Sequence, residues 1–466
     1  MKDHGAMQRI VRELAAIVGD RHVSDAAEER YLYGRDMGTM PPAPPDMVVL
    51  PGTTAEVQAV VRLANRERVP LVPMGAGLVL SGLTRALAGG IVVDLKRMNR
   101  VVAVNDVSRY AVVEAGTSQG MLQAYLKKHH PTLKHSLPDA PPMATIGGNV
   151  LIHGSGHMSC AYGFHSDMLN GLEVVLPTGE VARIGSCAVS DYWFARAPLP
   201  DLAGLFLGWA GTTGIVTRLA IKLFPRYPFN DVAIFVADDP AVIPDVLGRL
   251  TAVQVAEDMT AWMTPKPAWA AGHQHVNICW GGHSREELIC KRDLLRAAVR
   301  DYIQARTAGF MPLPPPLKKR FTRLPDSQLT TFADVRKGGG FEYVGAIMPV
   351  DLFAAAYRLG VRVAEARGVA YSLGARIIGA NHCMMFFFAY AFNRADDADV
   401  ARAQGALEET NREVIALGGI PWKAEAPAQQ AILARMDPST RELMARLRRA
   451  VDPNGIMNPG NWETER

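Results

Sequence analysis

Cysteine is scarce in this chain of 466 residues: five only, at Cys160, Cys187, Cys279, Cys290 and Cys383, odd in number and never in a Cys-x-x-Cys pair. That usage excludes a disulfide framework and points to a reducing, cytoplasmic setting. Charge of one sign is lacking too. The formal net charge is +4 and no basic stripe runs along the chain, so nucleic acid is not expected among its partners. No apolar run is long enough to span a bilayer, the stretch 383–391 being far too short. Residues 1–24 place Ile10, Val11, Leu14, Ala15, Ile17 and Val18 at helical spacing with no small-residue cleavage site, which predicts a surface helix rather than a signal peptide. No Gly-x-Gly-x-x-Gly opens a helix after a strand, which disfavours an NAD-type Rossmann domain. A hydrophobic content of 48% with 21% charge describes a globular protein, and the length suggests two to three domains.

What is present is a set of glycine turns. Pro70-Leu71-Val72-Pro73-Met74-Gly75-Ala76-Gly77-Leu78-Val79-Leu80-Ser81-Gly82 is an apolar run that breaks into a short turn. Without Cβ atoms at Gly75 and Gly77, backbone N–H groups can converge into a nest suited to a pyrophosphate. Thr145-Ile146-Gly147-Gly148-Asn149 follows a bend at Pro138, Pro141 and Pro142, where backbone can lie against a flat ring. Together the two suggest a long, flat, phosphate-bearing ligand such as a flavin dinucleotide.

The rest reads as α+β. A polyproline connector, 41–45, leads to strand 47–50, and Thr54 is expected to cap helix 55–67. Strands follow at 71–72, 91–95 and 110–114, then helix 118–129, a hairpin over 171–181, and a glycine turn at 211–214 entering a strand. Character changes near 225–228. Beyond it, strands at 232–236, 275–280, 341–347, 370–372 and 384–392 alternate with helices near 240–250, 284–305, 350–366 and 398–417. A basic loop, 312–320, is a conceivable partner contact, and the last helix is 438–451.

These residues, with the closing Asp452-Pro453-Asn454-Gly455-Ile456-Met457-Asn458-Pro459-Gly460, resemble the flavoprotein superfamily of vanillyl-alcohol oxidase and p-cresol methylhydroxylase. That superfamily also includes glycolate oxidase and D-lactate dehydrogenase flavoproteins. The resemblance implies a two-part FAD-binding domain, 1–224 and 419–466, with an inserted α+β, ferredoxin-like cap over 225–418. It implies FAD contacts at Pro73, Met74, Gly75, Ala76, Gly77, Leu78 and Ser81, and at Pro138, Asp139, Thr145, Gly148 and Asn149. Further contacts are implied at Gly154, Ser155, Gly156, His157, Tyr162, Gly163, Val216 and Asn458.

Departures from the pattern shape the functional expectation. Histidines that attach FAD covalently in some relatives are replaced here by Met74, Gly75 and Ala76 and, in the cap, by Phe386, so non-covalent FAD is expected. The tyrosines and arginine that activate phenols fall at Leu83, Trp422 and Lys423, and an acidic flavin neighbour at Phe164. The metal motif and the late Glu-His-Gly of the hydroxy-acid relatives are absent, and a faint His273-x-His275 with His283 lacks a completing ligand, so no metal is expected. The expected activity is removal of a hydride from a small alcohol, 2-hydroxy acid or aryl-alkyl compound, with electrons passed to oxygen or a carrier protein. A flavoprotein subunit relaying electrons to a partner such as a cytochrome, and a 2-hydroxy-acid dehydrogenase without its metal, are the alternatives. Catalytic candidates are Lys423 as an anion holder, Trp422 as a pocket wall, Arg376 as a fork for a substrate carboxylate, and His382 as base or donor. His165 reads as a capped loop histidine, and a homodimer follows by analogy.

Overall fold

The computed structural model describes residues 4–80, 82–263, 273–313, 318 and 338–464. The helix His4–Val18 buries Ile10, Leu14 and Val18 in a core shared with the helix Thr54–Glu67 and a four-stranded sheet. Strands Met47–Val49, Ile91–Asp94 and Leu71–Met74 are mutually parallel, and the helix Thr54–Glu67 supplies the crossover that parallel strands require. Thr53, not Thr54, caps this helix, its side chain accepting from the Glu56 N–H. Thr54 instead gives its hydroxyl to Glu173 (2.9 Å).

A five-stranded antiparallel sheet packs on the same core, in the order Val101–Asn105, Tyr110–Glu114, Ile215–Lys222, Leu169–Val175, Val181–Gly185. The chain end returns here. After the helix Pro438–Val451, Met457 bridges Leu71 and the Asn458 N–H donates to the Leu71 carbonyl (2.7 Å). The Asn458 side-chain amide donates to the carbonyls of Leu83 (3.0 Å) and Ala210 (2.6 Å), tying the tail to two glycine turns.

The middle of the chain forms one eight-stranded sheet, every adjacent pair antiparallel. It consists of two β-α-β-β-α-β units side by side, the ferredoxin-like arrangement used twice. The first unit contributes Ala308–Pro312, Phe229–Ala237, Gln274–Gly282 and Asp258–Met263, in that order across the sheet. The second contributes Ala370–Ile378, Cys383–Phe392, Gly340–Met348 and Ile420–Trp422. They join where Thr260 faces Arg376. Helices cover one face, over a core holding Phe235, Trp280, Phe353, Phe386, Phe388 and Tyr390. No repeat is legible in the sequence; only the strand order reveals it. The strands Asp258–Met263, Ala308–Pro312 and Ile420–Trp422 were not expected, and the last carries the sheet past residue 418 by pairing Trp422 with Gly345.

A strap joins the two halves. Thr39 donates its N–H and hydroxyl to Glu342 Oε2 (2.8 and 2.9 Å), Asp36 accepts the Gly82 N–H (2.9 Å), and Arg85 donates to the Pro41 carbonyl. Among the described residues no helix is long and apolar enough to cross a membrane.

Candidate functional site

A cavity of about 290 Å³ lies between the cap sheet and the N-terminal half. One side is backbone. The loop after strand Leu71–Met74 supplies Pro73, Met74, Gly75, Ala76, Gly77 and Leu78; the wall supplies Pro138, Asp139, Thr145, Gly148, Asn149 and Ser155, and Val216 closes the side. The cap face supplies Thr260, Phe341, Tyr343, Arg376, Met385, Phe387, Trp422 and Lys423.

The glycines are there for space. A Cβ on Gly75 would sit 2.3 Å from Thr145 Oγ1, and one on Gly211 2.4 Å from Pro73 Cγ, while Gly77 has φ +66°. Thr145 is fixed as the cap of the short helix Ile146–Leu151, accepting from the Gly148 N–H (3.1 Å). On the opposite side, strand alternation sends Met385 and Phe387 into the cavity and Phe386 and Phe388 into the helix-covered core.

Two cations line the cavity, and they differ. Arg376 is buried and fully committed: Nε and Nη2 reach Asp258 (2.9 and 3.0 Å) and Nη1 reaches Asp139 (2.5 Å). His157 Nε2 lies 3.0 Å from Asp139. Burial alone would raise the Asp139 pKa, but Arg376 and His157 outweigh it and hold the carboxyl well below its usual range. Lys423 has no carboxylate partner among the described residues. Its Nζ stands 4.1 Å from the Trp422 ring centroid and 5.1 Å from that of Tyr343. Burial lowers its pKa to about 8, against a weaker pull upward from Glu342. The Tyr343 hydroxyl donates to the soft Sδ of Met385 (3.9 Å), and burial pushes its phenol pKa well up. Trp422 is fixed by its indole N–H donating to the Ile152 carbonyl.

The structure therefore redistributes several expected roles. His382 is exposed in the turn between the strands Ala370–Ile378 and Cys383–Phe392, away from the cavity. Arg376 lines the cavity, but its guanidinium is spent on Asp139 and Asp258 instead of waiting for a substrate carboxylate. Phe386, aligned with the cap histidine of some relatives, faces the helices and not the cavity. Gly154, Gly156, His157, Tyr162, Gly163 and Asn458 do not line the cavity. Tyr162 is half exposed and packs on Phe224, and Gly156 bridges Pro138, where a Cβ would meet the Leu137 carbonyl at 2.0 Å. Ser81 lies outside the described residues, as does the 312–320 loop except for Pro312, Leu313 and Lys318. His273 pairs with Asp238 (2.5 Å) and His275 stacks on Trp262. Among the described residues no three His, Cys, Asp or Glu converge to hold a metal.

Tyr343, Phe341, Thr260, Met385 and Phe387 were missed by sequence reasoning. For Phe341 and Tyr343 the signal was the alternation around buried Glu342; Met385 and Phe387 carry none because their strand is buried on both faces, and Thr260 none because its strand lacks a run of β-branched residues.

A flavin dinucleotide fits these residues. The loop over 73–78 presents backbone to the cavity, with Gly75 packed too closely on Thr145 to carry a side chain, and the aromatic and thioether side chains opposite suit a flat ring.

Comparison with known proteins agrees. Residues 45–185 match the FAD binding domain family and residues 346–462 the C-terminal domain of FAD linked oxidases. The chain is 25% identical to an uncharacterised FAD-linked oxidoreductase of Mycobacterium tuberculosis, over 97% of this chain and 99% of that one. It is 24% identical to the flavoprotein subunit of 4-cresol dehydrogenase (hydroxylating) of Pseudomonas putida, over 98% and 95%. Its fold superposes on a crystal structure of substrate-bound p-cresol methylhydroxylase with a TM-score of 0.87 at 21% identity, over 99% and 97% of the two chains.

Proposed function

Because this chain is an FAD-linked oxidoreductase with the p-cresol methylhydroxylase fold, we propose that it oxidises a C–H bond of a small, flat organic molecule that also carries an oxyanion. A 2-hydroxy acid meets that description, as does an alcohol or aryl-alkyl compound that bears a carboxylate or a phenolate. FAD, when bound, supplies the two-electron acceptor. The chain's own residues do the rest. Gly75, Gly77 and the wall over 145–149 hold the cofactor against backbone. Phe387, Met385 and Trp422 form an apolar wall that excludes water. Lys423 grips the substrate oxyanion, and Tyr343 donates a hydrogen bond to it. Arg376, neutralised by Asp139 and Asp258, binds no substrate; it holds the wall at Asp139 to the cap.

The observation that carries this reading is Lys423, a cation in the cavity wall with aromatic neighbours and no carboxylate partner among the described residues. Non-covalent attachment belongs to the same proposal, supported by the lack of His or Cys among the described lining residues. So do electron transfer from FAD to oxygen or a carrier protein, a homodimer, and a cytoplasmic setting consistent with five free cysteines. The three-part domain plan is part of it too, with the second boundary moved past Trp422.

The test is anaerobic mixing of the yellow holoprotein with paired compounds, each anion beside its neutral ester or ether. Bleaching of the flavin by the anions and not by their partners is the expected result. Equal bleaching by both, or equal bleaching by wild type and a Lys423→Met variant, defeats the proposal.

A further inference from the structure

Behind the wall over 145–151 lies a second cavity of about 20 Å³, bordered by Gln119, His135, Ser136, Asn149 and His165. That is room for about one water molecule with several polar partners. Asn149 borders both cavities and so forms the partition between them.

His165 is buried and fully engaged. Its backbone N–H donates to the Gly154 carbonyl (2.7 Å), Nε2 lies 2.7 Å from Ser136 Oγ, and Nδ1 contacts Asn149 Oδ1. Burial first, then the charges of His135, Arg376 and His157, push its pKa down to about 3, so the ring is neutral at working pH. A neutral imidazole has one N–H and one lone pair. Ser136 can donate or accept, whereas Asn149 Oδ1 can only accept. The proton therefore sits on Nδ1, and Nε2 takes the serine hydroxyl. With Oδ1 committed, Asn149 keeps its Nδ2, which meets no protein acceptor among the described residues.

We infer that His165 is a positioning residue for the cofactor: through Nδ1–H it fixes Asn149 so that the amide N–H is presented to the main cavity as a donor to an oxygen of FAD. The inference rests on FAD occupying that cavity and adds a residue that does not line it. A histidine that merely capped its loop would leave cofactor affinity untouched once folding was intact.

Two substitutions separate these roles. Asparagine carries a donor near the position of Nδ1, and glutamine near that of Nε2. The full chain, stripped of flavin, is titrated with FAD by fluorescence. His165→Asn is expected to stay within about twofold of wild type, and His165→Gln to weaken binding about tenfold, one hydrogen bond's worth. In an Asn149→Ala background, His165→Gln should have no further effect. Equal losses in both variants, or an added loss in the Asn149→Ala background, overturn the inference. Unchanged affinity in Asn149→Ala overturns the inference whether or not the residue-165 variants fold. A wild-type chain that takes up no FAD would refute the cofactor's place in the cavity instead. If the flavin proves covalent, the same ranking is read from the midpoint potential of the holoproteins.

Discussion

At the scale of single residues, the proposed function turns on the side chain of Lys423 and on the lack of one at Gly75. Lys423 is charged below about pH 8 and neutral above it, because burial disfavours the ammonium. The apparent KM for an anionic substrate is therefore expected to rise above about pH 8, approaching tenfold per pH unit. In Lys423→Arg, stopped-flow reduction across pH should show that limb displaced upward; an unmoved limb would remove Lys423 from substrate binding. Gly75→Ala forces a Cβ against Thr145 Oγ1. Overpacking of this kind costs about 1–3 kcal/mol, so the purified variant should carry less flavin per chain, read from its visible spectrum, with folding by circular dichroism unchanged.

At the scale of elements, the strand Ala370–Ile378 is locked to the N-terminal half through Arg376, which Asp139 and Asp258 hold. Removing one partner of a buried ion pair leaves a charge uncompensated, so Arg376→Leu is expected to cost about 3–5 kcal/mol in urea unfolding. A loss below about 1 kcal/mol would show that the cluster does not latch the halves. The same element marks how far a sequence can be read. The glycine turns, the parallel strands and the helix 438–451 were legible because turn chemistry and period announce them. Thr53 was displaced by its neighbour Thr54, since two adjacent threonines offer the same cap. The strand Asp258–Met263 escaped notice because it lacks a run of β-branched residues. The strand Cys383–Phe392 was found, yet its apolar residues continue on both faces, so nothing in the sequence said that Met385 and Phe387 rather than Phe386 meet the ligand. Arg376 was found as a site residue but misassigned in role, because its two carboxylates lie far away in the chain.

At the scale of the whole molecule, the strap at 36–41 places a buried carboxylate where the halves meet. Burial raises Glu342 from the usual 4.5 to about 7, despite the hydrogen bonds from Thr39, and nearby Asp36 and Glu425 push the same way. Glu425, beside Asn411, is likewise raised to about 7 by burial. Between about pH 4.5 and 7 the folded chain therefore keeps protons that the unfolded chain releases, and stability falls as pH rises through that window. Unfolding free energies measured from pH 5 to 7.5 should decline, and Glu342→Gln should flatten the decline; an unchanged slope would exclude Glu342 as its source. The doubled cap has a consequence of its own. Apart from Thr260, every described cap side chain that meets the cavity comes from the second unit or from Lys423 just beyond it. The first unit buttresses the second, chiefly through Asp258 on Arg376, and natural variation in substrate choice should concentrate in the later copy.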